Sequence, residues 1–405
     1  MAFNGGNLAM TNAVNFRTFS KTFKESLIAY SFDIGGLFAG FIVASQLNVF
    51  QLFPWTIALY PAVLSARGFI GGLFSGRLGT ALHVGTIYPR FFKNTKSFYM
   101  LFEAVAVITL ETSISMSLVS MVFGSLLWGI AFSDFLDILL IVISTMTLGL
   151  VLSLFTIAVS FVTFKKGLDP DVIEYPIMST VADIFITICY VFTINLYFLS
   201  KYVVAVIGLA HVILSFYILS KDLHESEFVK TIKEALFTLF FASFIVNVTG
   251  TFLHRINIVV TGRKEVYTVY PALIDLVGDV GSVVGCTATT KLALGLLKPS
   301  LTALRSHAAQ IFAAWAASII MFVFLSISSL LINGMLALST FISFTSILLI
   351  ANIMAVAAII FVAYGVSILT FQKGLDPDNF VIPIESSLAD SLTSAALLVS
   401  LFLLG

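Results

Sequence analysis

The sequence predicts an all-α integral membrane protein of about 11 transmembrane helices, built as two parallel five-helix repeats joined by one extra span. Three observations carry that expectation. Of 405 residues, 59% are hydrophobic and only 10% charged, with mean hydropathy +1.06, whereas a soluble domain carries about a quarter charged residues. Apolar runs longer than about 18 residues, enough to cross hydrocarbon as a helix, recur almost end to end. The phrase FKKGLDPDVIEYPIMSTVAD at Phe164 returns 207 residues later as FQKGLDPDNFVIPIESSLAD at Phe371.

Apolar runs and their punctuation place the first five spans at 27–52, 55–88, 98–132, 136–164 and 172–199. One span follows at 203–220, and the second five fall at 235–260, 267–296, 308–332, 340–371 and 379–404. Two further phrases tie the sets of five together. KTFKESL at Lys21 returns as KTIKEAL at Lys230, offset 209, and YPAVLSARGFIGG at Tyr60 returns as YPALIDLVGDVGS at Tyr270, offset 210. A near-constant offset marks a duplicated unit, and such repeats set the architecture.

The domain reading is an N-terminal cytoplasmic segment at 1–20, a first repeat at 21–200, a connecting helix and linker at 201–229, and a second repeat at 230–405. An odd number of spans per repeat would invert the second copy. The extra span KYVVAVIGLAHVILSFYILS restores the direction, so the halves are expected to be parallel about an axis along the membrane normal. With the N-terminus inside, fourteen Lys and Arg of the short loops lie on the cytoplasmic side and four outside. The positive-inside rule therefore predicts a cell-membrane protein with a cytoplasmic N-terminus and an extracellular C-terminus.

Formal net charge is zero, which gives no reason to expect a nucleic-acid partner. Cys189 and Cys286 lie in apolar stretches without metal-site spacing and read as core residues. The N-terminal stretch MAFNGGNLAMTNAVNF has no basic region followed by an apolar core and cleavage site, so no signal peptide is expected.

GLDPD is helix punctuation: Gly ends one helix, Asp caps the next, and Pro suits its first turn. Asp169, Asp171, Asp376 and Asp378 thus read as interfacial caps that could also form a cation-attracting vestibule. The last acid of each phrase differs. Asp183 and Asp390 each lie 12 residues beyond the second capping acid, about 18 Å along a helix, near the middle of a hydrocarbon layer about 30 Å thick. An acid at that depth is a functional candidate by default. Ser179, Thr180, Ser386 and Ser387 precede the two acids, and Pro176 and Pro383 free a backbone carbonyl seven residues upstream. These groups make an oxygen-rich strip, and hard cations such as Mg2+ prefer oxygen ligands.

Asp275 and Asp279, spaced i and i+4, share a helical face beside Gly278. The first copy has Ser65 and Phe69 at those places and Arg67 nearby. Glu111 is a lower-ranked pathway candidate: like Glu103, it could bind a coupling ion or pair with Arg67 or Arg77. Asp33, Asn247 and Lys291 occur in one copy only, and His83, His211, His254 and His307 show no metal spacing.

Pro271, Gly278, Asp279 and Gly281 resemble the second-helix motif of the MgtE magnesium channel domain, and DPDNFVIPIESSLAD resembles that domain's fifth helix. Two such domains joined by an extra span are similar to the solute carrier 41 family of magnesium transporters. The resemblance spans about 20–405 and implies that Asp183 and Asp390 line a central pathway where Mg2+ or another divalent cation binds as the transported ion, with no cofactor. Asp275 and Asp279 would add an asymmetric cation site. Phe69 stands where the family motif has Asn, which argues against a symmetric site at that level. The cytosolic regulatory domains of the bacterial channels have no counterpart here.

The expected function is divalent-cation transport, coupled to Na+ or H+ or passing through an uncoupled channel. The lipid bilayer is the environment, and a functional monomer is expected because one chain supplies both halves. An intramembrane aspartyl protease is the rival from another class, but its PAL and GD signatures would both fall on one span, at Pro271 and Gly278. Transport of an organic or anionic solute on Arg67, Arg77 and Lys291 is a third reading.

Overall fold

The computed structural model describes the backbone of residues 3–166, 170–260, 262–373 and 378–405. The side chains of 1–15, 167–179 and 374–387 and of a few single positions lie outside the described set. Helices α1 (Phe3–Tyr30), α2 (Gly36–Ser45) and α3 (Leu47–Leu52) open the chain, with a short 3₁₀ turn at Phe32–Gly35 between the first two. Then follow α4 (Trp55–Val84), α5 (Lys96–Phe123), α6 (Phe135–Gly149), α7 (Val151–Lys165) and α8 (Pro170–Leu199). The connecting helix is α9 (Lys201–Asp222). The second repeat supplies α10 (Ser226–Val259), α11 (Lys264–Ala293), α12 (Leu304–Ile332), α13 (Leu338–Gln372) and α14 (Asp378–Leu404).

This is an all-α membrane protein. Among the described residues nine helices are long and apolar enough to cross a membrane, and α10 and α14 occupy the two other places where the sequence predicts spans. Lipid explains the absence of strands among the described residues: a helix satisfies its own backbone groups, and an open sheet cannot. The duplication survives in local detail. Both α4 and α11 give way to a left-handed glycine, Gly85 (φ 78°) and Gly295 (φ 69°), a conformation that suits Gly because it lacks Cβ.

The chain forms two compact units that do not follow sequence order. The first joins residues 1–40 to 259–405, and the second is 41–258. In the first unit α11 packs on α12, α13 and α14, and α1 packs on α12. Gly36 and Gly40 let the opening helices close onto α11: a Cβ at Gly40 would lie 2.1 Å from the Thr268 carbonyl oxygen. The second unit packs α4 on α5, α7 and α8, with α6 against α5, α8 and α9. There α10 takes the place that α1 and α2 take in the first unit. A Cβ at Gly250 would lie 2.2 Å from the Ala58 carbonyl oxygen, Ser120 donates to Asn247 Oδ1 at 2.7 Å, and Phe123 meets Phe244 edge-on at 5.1 Å.

Each repeat therefore lends its first span to the unit that holds the remaining spans of the other. Gly40 and Gly250 stand at equivalent places, as do Thr268 and Ala58, all at the 210-residue offset. Small residues at helix crossings let backbones approach closely, which is how helices gain packing energy where no hydrophobic drive exists between them.

Candidate cation site

Asp183 lies 13 residues into the 30-residue α8, and Asp390 lies 12 residues into the 27-residue α14. Both are half-buried. Each acid's turn is held in the same way. Thr187 Oγ1 donates to the Asp183 carbonyl oxygen at 2.6 Å, and Ser394 Oγ donates to the Asp390 carbonyl oxygen at 2.7 Å. Tyr60 on α4 meets Thr187 at 2.9 Å, and Tyr270 on α11 meets Ser394 at 2.8 Å. A hydroxyl has one proton, and those of Thr187 and Ser394 are already committed to the carbonyls. The tyrosines must be the donors.

The result is a brace written twice, from the second helix of a repeat through a hydroxyl to the backbone of the acid's own turn. It fixes the turn without using either carboxylate. In the first copy Tyr190 adds a further tie, donating to the Thr56 carbonyl oxygen, and its ring lies 6.1 Å from that of Tyr60.

The first unit carries two more acids beside its braced one. Asp275 and Asp279 on α11 are half-buried and flank Gly278, whose added Cβ would meet the Ala389 Cβ at 3.7 Å. Ala389 adjoins Asp390, so the three carboxylates come from neighbouring turns of two packed helices. At Gly68, the equivalent position of the second unit, a Cβ would meet nothing within 4 Å. Among the described residues no three His, Cys, Asp or Glu stand close enough to enclose a metal. What the arrangement offers is single carboxylates with hydroxyl and carbonyl oxygens beside them, a donor set suited to Mg2+ that keeps several of its waters.

Of the supporting candidates, Thr180 is half-buried on α8, and the side chains of Ser179, Ser386 and Ser387 lie outside the described residues, as do those of the four capping acids. α8 is described from Pro170 and α14 from Asp378; the punctuation before them lies outside the described residues. Glu103 pairs with Lys221 at 2.5 Å rather than with an arginine, and Arg77 donates to Thr231 Oγ1 at 2.7 Å. The three described intramembrane histidines are separate: His211 contacts Thr147 and the Ala106 carbonyl, His307 contacts Thr287, and His254 lies by Trp128. Cys189 and Cys286 are free thiols. The tyrosine and hydroxyl braces were not singled out from the sequence. Their signal was present in the aligned Tyr60 and Tyr270 and in a hydroxyl four residues after each acid.

These features define a twofold-repeated, polytopic helical membrane protein with acidic residues partway along its helices. The profile of the MgtE divalent cation transporter family matches residues 60–193 and 270–400. Those two stretches make up more than half of the chain, which belongs to this family of divalent cation transporters, a transporter family and not an enzyme family. No curated protein and no solved structure gives a significant match.

Proposed function

We propose that the protein carries Mg2+ across the membrane along a pathway lined by carboxylates of both repeats, with the N-terminus in the cytoplasm and the C-terminus outside. Asp183 and Asp390 attract and position the ion at mid-depth, and Asp275 and Asp279 add a second, one-sided binding level beside Gly278. Thr180 and the hydroxyl positions 179, 386 and 387 extend the oxygen strip toward the cytoplasmic side. The supporting observation is the brace that recurs around Asp183 and Asp390. Evolution of a mere helix contact would not need the same acid turn held twice by tyrosine and hydroxyl.

The unequal acids of α4 and α11 favour a carrier with distinct binding steps over a symmetric channel. The proteolytic reading fails on placement: Pro271 and Gly278 both lie on α11, whereas a shared-proton dyad needs two elements that face each other. The test is Mg2+ uptake into proteoliposomes containing the full chain, with and without a Na+ or pH gradient. Uptake that depends on both Asp183 and Asp390 is expected. Unchanged uptake in both Asp183→Asn and Asp390→Asn, or solute uptake that persists with all divalent cations chelated, contradicts the reading.

A further inference from the structure

Two opposite charges of the second unit are missing together from the other repeat. At the 210-residue offset Arg67 aligns with Val277, and the 208-residue offset between the starts of α5 and α12 aligns Glu111 with Ile319. Arg67 is only 4% exposed. Among the described residues its Nε is buried without a hydrogen-bond partner, and so is Oε2 of Glu111. No ion pair among the described residues joins them, although they are of complementary sign.

Their depth is the same. α4 and α5 form a hairpin whose turn is tied by Asn94, which contacts Tyr88 and the Arg90 carbonyl, and by Thr95 Oγ1 donating to the Thr86 carbonyl at 2.7 Å. Arg67 lies 17 residues before the end of α4, and Glu111 lies 15 residues after the start of α5, a difference of about 3 Å along the axis. The guanidinium is laid along its own helix instead, over Gly71, where an added Cβ would sit 2.9 Å from Nη1.

We propose that Glu111 is a proton-binding site with Arg67 as its counter-charge. Glu111 gives its carboxyl proton to water and the carboxylate then pairs with the Arg67 guanidinium. When it takes a proton back, Arg67 is released to lie over Gly71, and the described structure has the released arrangement. The inference rests on the transport reading and names the ion that regulates it. A bare buried carboxylate is unfavourable by several kcal/mol, so Glu111 is held either as the neutral acid or closed onto Arg67, and the guanidinium left buried without a partner in the released arrangement draws the pair toward closure once the proton leaves. A proton fits the site better than a metal ion, because Oε2 is buried without a hydrogen-bond partner and no three His, Cys, Asp or Glu among the described residues stand close enough to hold a metal.

The signal has a route to the transported ion. Arg67 is on α4, and α4 holds the Asp183 turn through Tyr60 and Thr187, so a shift of α4 toward α5 moves that turn. Among the described residues the other charged groups on the elements packed against α5 have partners of their own or lie at another depth. Lys221 holds Glu103 and lies 3.7 Å from Asp222, Arg77 holds Thr231, and His211 is tied at both ring nitrogens. Asp137 is in the first turn of α6, away from this depth, and α10 meets α5 through the neutral Asn247 and Phe244.

The test uses the full chain in proteoliposomes and, in parallel, in detergent without Mg2+. Wild-type Mg2+ flux is expected to change about fivefold, roughly 1 kcal/mol, between about pH 4 and about pH 9, the range over which buried carboxyls titrate. In Glu111→Gln and in Arg67→Gln that dependence disappears, and Glu111→Asp retains it. Hydrogen exchange over 67–72, corrected for intrinsic pH dependence, follows the same pattern without any transported ion. A wild type whose flux and exchange respond to pH as Glu111→Gln does overturns the proposal. Absent Mg2+ flux with the exchange pattern intact counts against the transport reading and leaves the Glu111 site standing.

Discussion

The two repeats are closest to each other where they hold an acid's backbone and farthest apart where they present charge. Tyr60 with Thr187 and Tyr270 with Ser394 make the same brace to within 0.1 Å, at 2.9 and 2.8 Å, and Gly40 and Gly250 make the same close crossing. Around this shared frame the copies diverge. The second repeat carries Asp275 and Asp279 on the helix where the first carries Ser65, Arg67 and Phe69. The fourth span is one helix, α13, in the second repeat, whereas in the first it is divided at Leu150 into α6 and α7, and an added Cβ at the preceding Gly149 would meet Ile186, one turn beyond Asp183, at 2.8 Å. Duplication conserved the machinery that positions the acids and left the side chains around it free to specialise. A transporter with two interchangeable halves would not need the difference.

The comparison can be broken most directly at the acids. Asp183→Asn and Asp390→Asn are each expected to lower Mg2+ flux roughly a hundredfold, about 3 kcal/mol. If the halves have specialised, Asp275→Asn and Asp279→Asn lower apparent affinity more than maximal rate. Equal losses of rate in all four would show that the α11 acids belong to the same step as the braced pair.

The crossings come next. Gly40→Val and Gly250→Val each force a side chain into a backbone carbonyl, and each should destabilise by about 2–3 kcal/mol, read as a lower midpoint of thermal unfolding in detergent. A large effect at only one of the two glycines would mean that the exchanged spans are not energetically equivalent. Tyr60→Phe and Tyr270→Phe remove one buried hydrogen bond apiece, worth about 1 kcal/mol. Both should reduce flux severalfold with little loss of helix content by circular dichroism.

The smallest effect concerns Arg67. Gly71→Ala crowds the released guanidinium and so disfavours the arrangement in which Glu111 holds its proton. The midpoint of the flux against pH is expected to fall by a few tenths of a unit. A rise instead would mean that the alanine stabilises release.

Much of the fold was legible because lipid leaves a chain few choices. Apolar runs must become helices, so the spans expected at 55–88 and 98–132 reappear as α4 and α5, and the connecting span as α9. The mid-helix places of Asp183 and Asp390 were also legible, since the rise of a helix converts residue number into depth. Pairing was less so. Glu103 meets Lys221 from α9, a partner 118 residues away that spacing on one helix does not reveal. The twin braces depend on which side of α4 faces α8, which a helical run leaves open.

The sequence by itself determined the membrane environment, the duplication, the mid-helix places of the two repeated acids and the family. Those properties are written in local composition and in a constant offset. Only the tertiary structure decided that each repeat gives its first span to the other unit, that tyrosines reach the acid turns, and that Arg67 and Glu111 lie level but apart. Those outcomes depend on which helices touch. In a bilayer helix partners are chosen by close backbone packing at glycines and by a few buried hydrogen bonds, and neither is specified until the helices have come together.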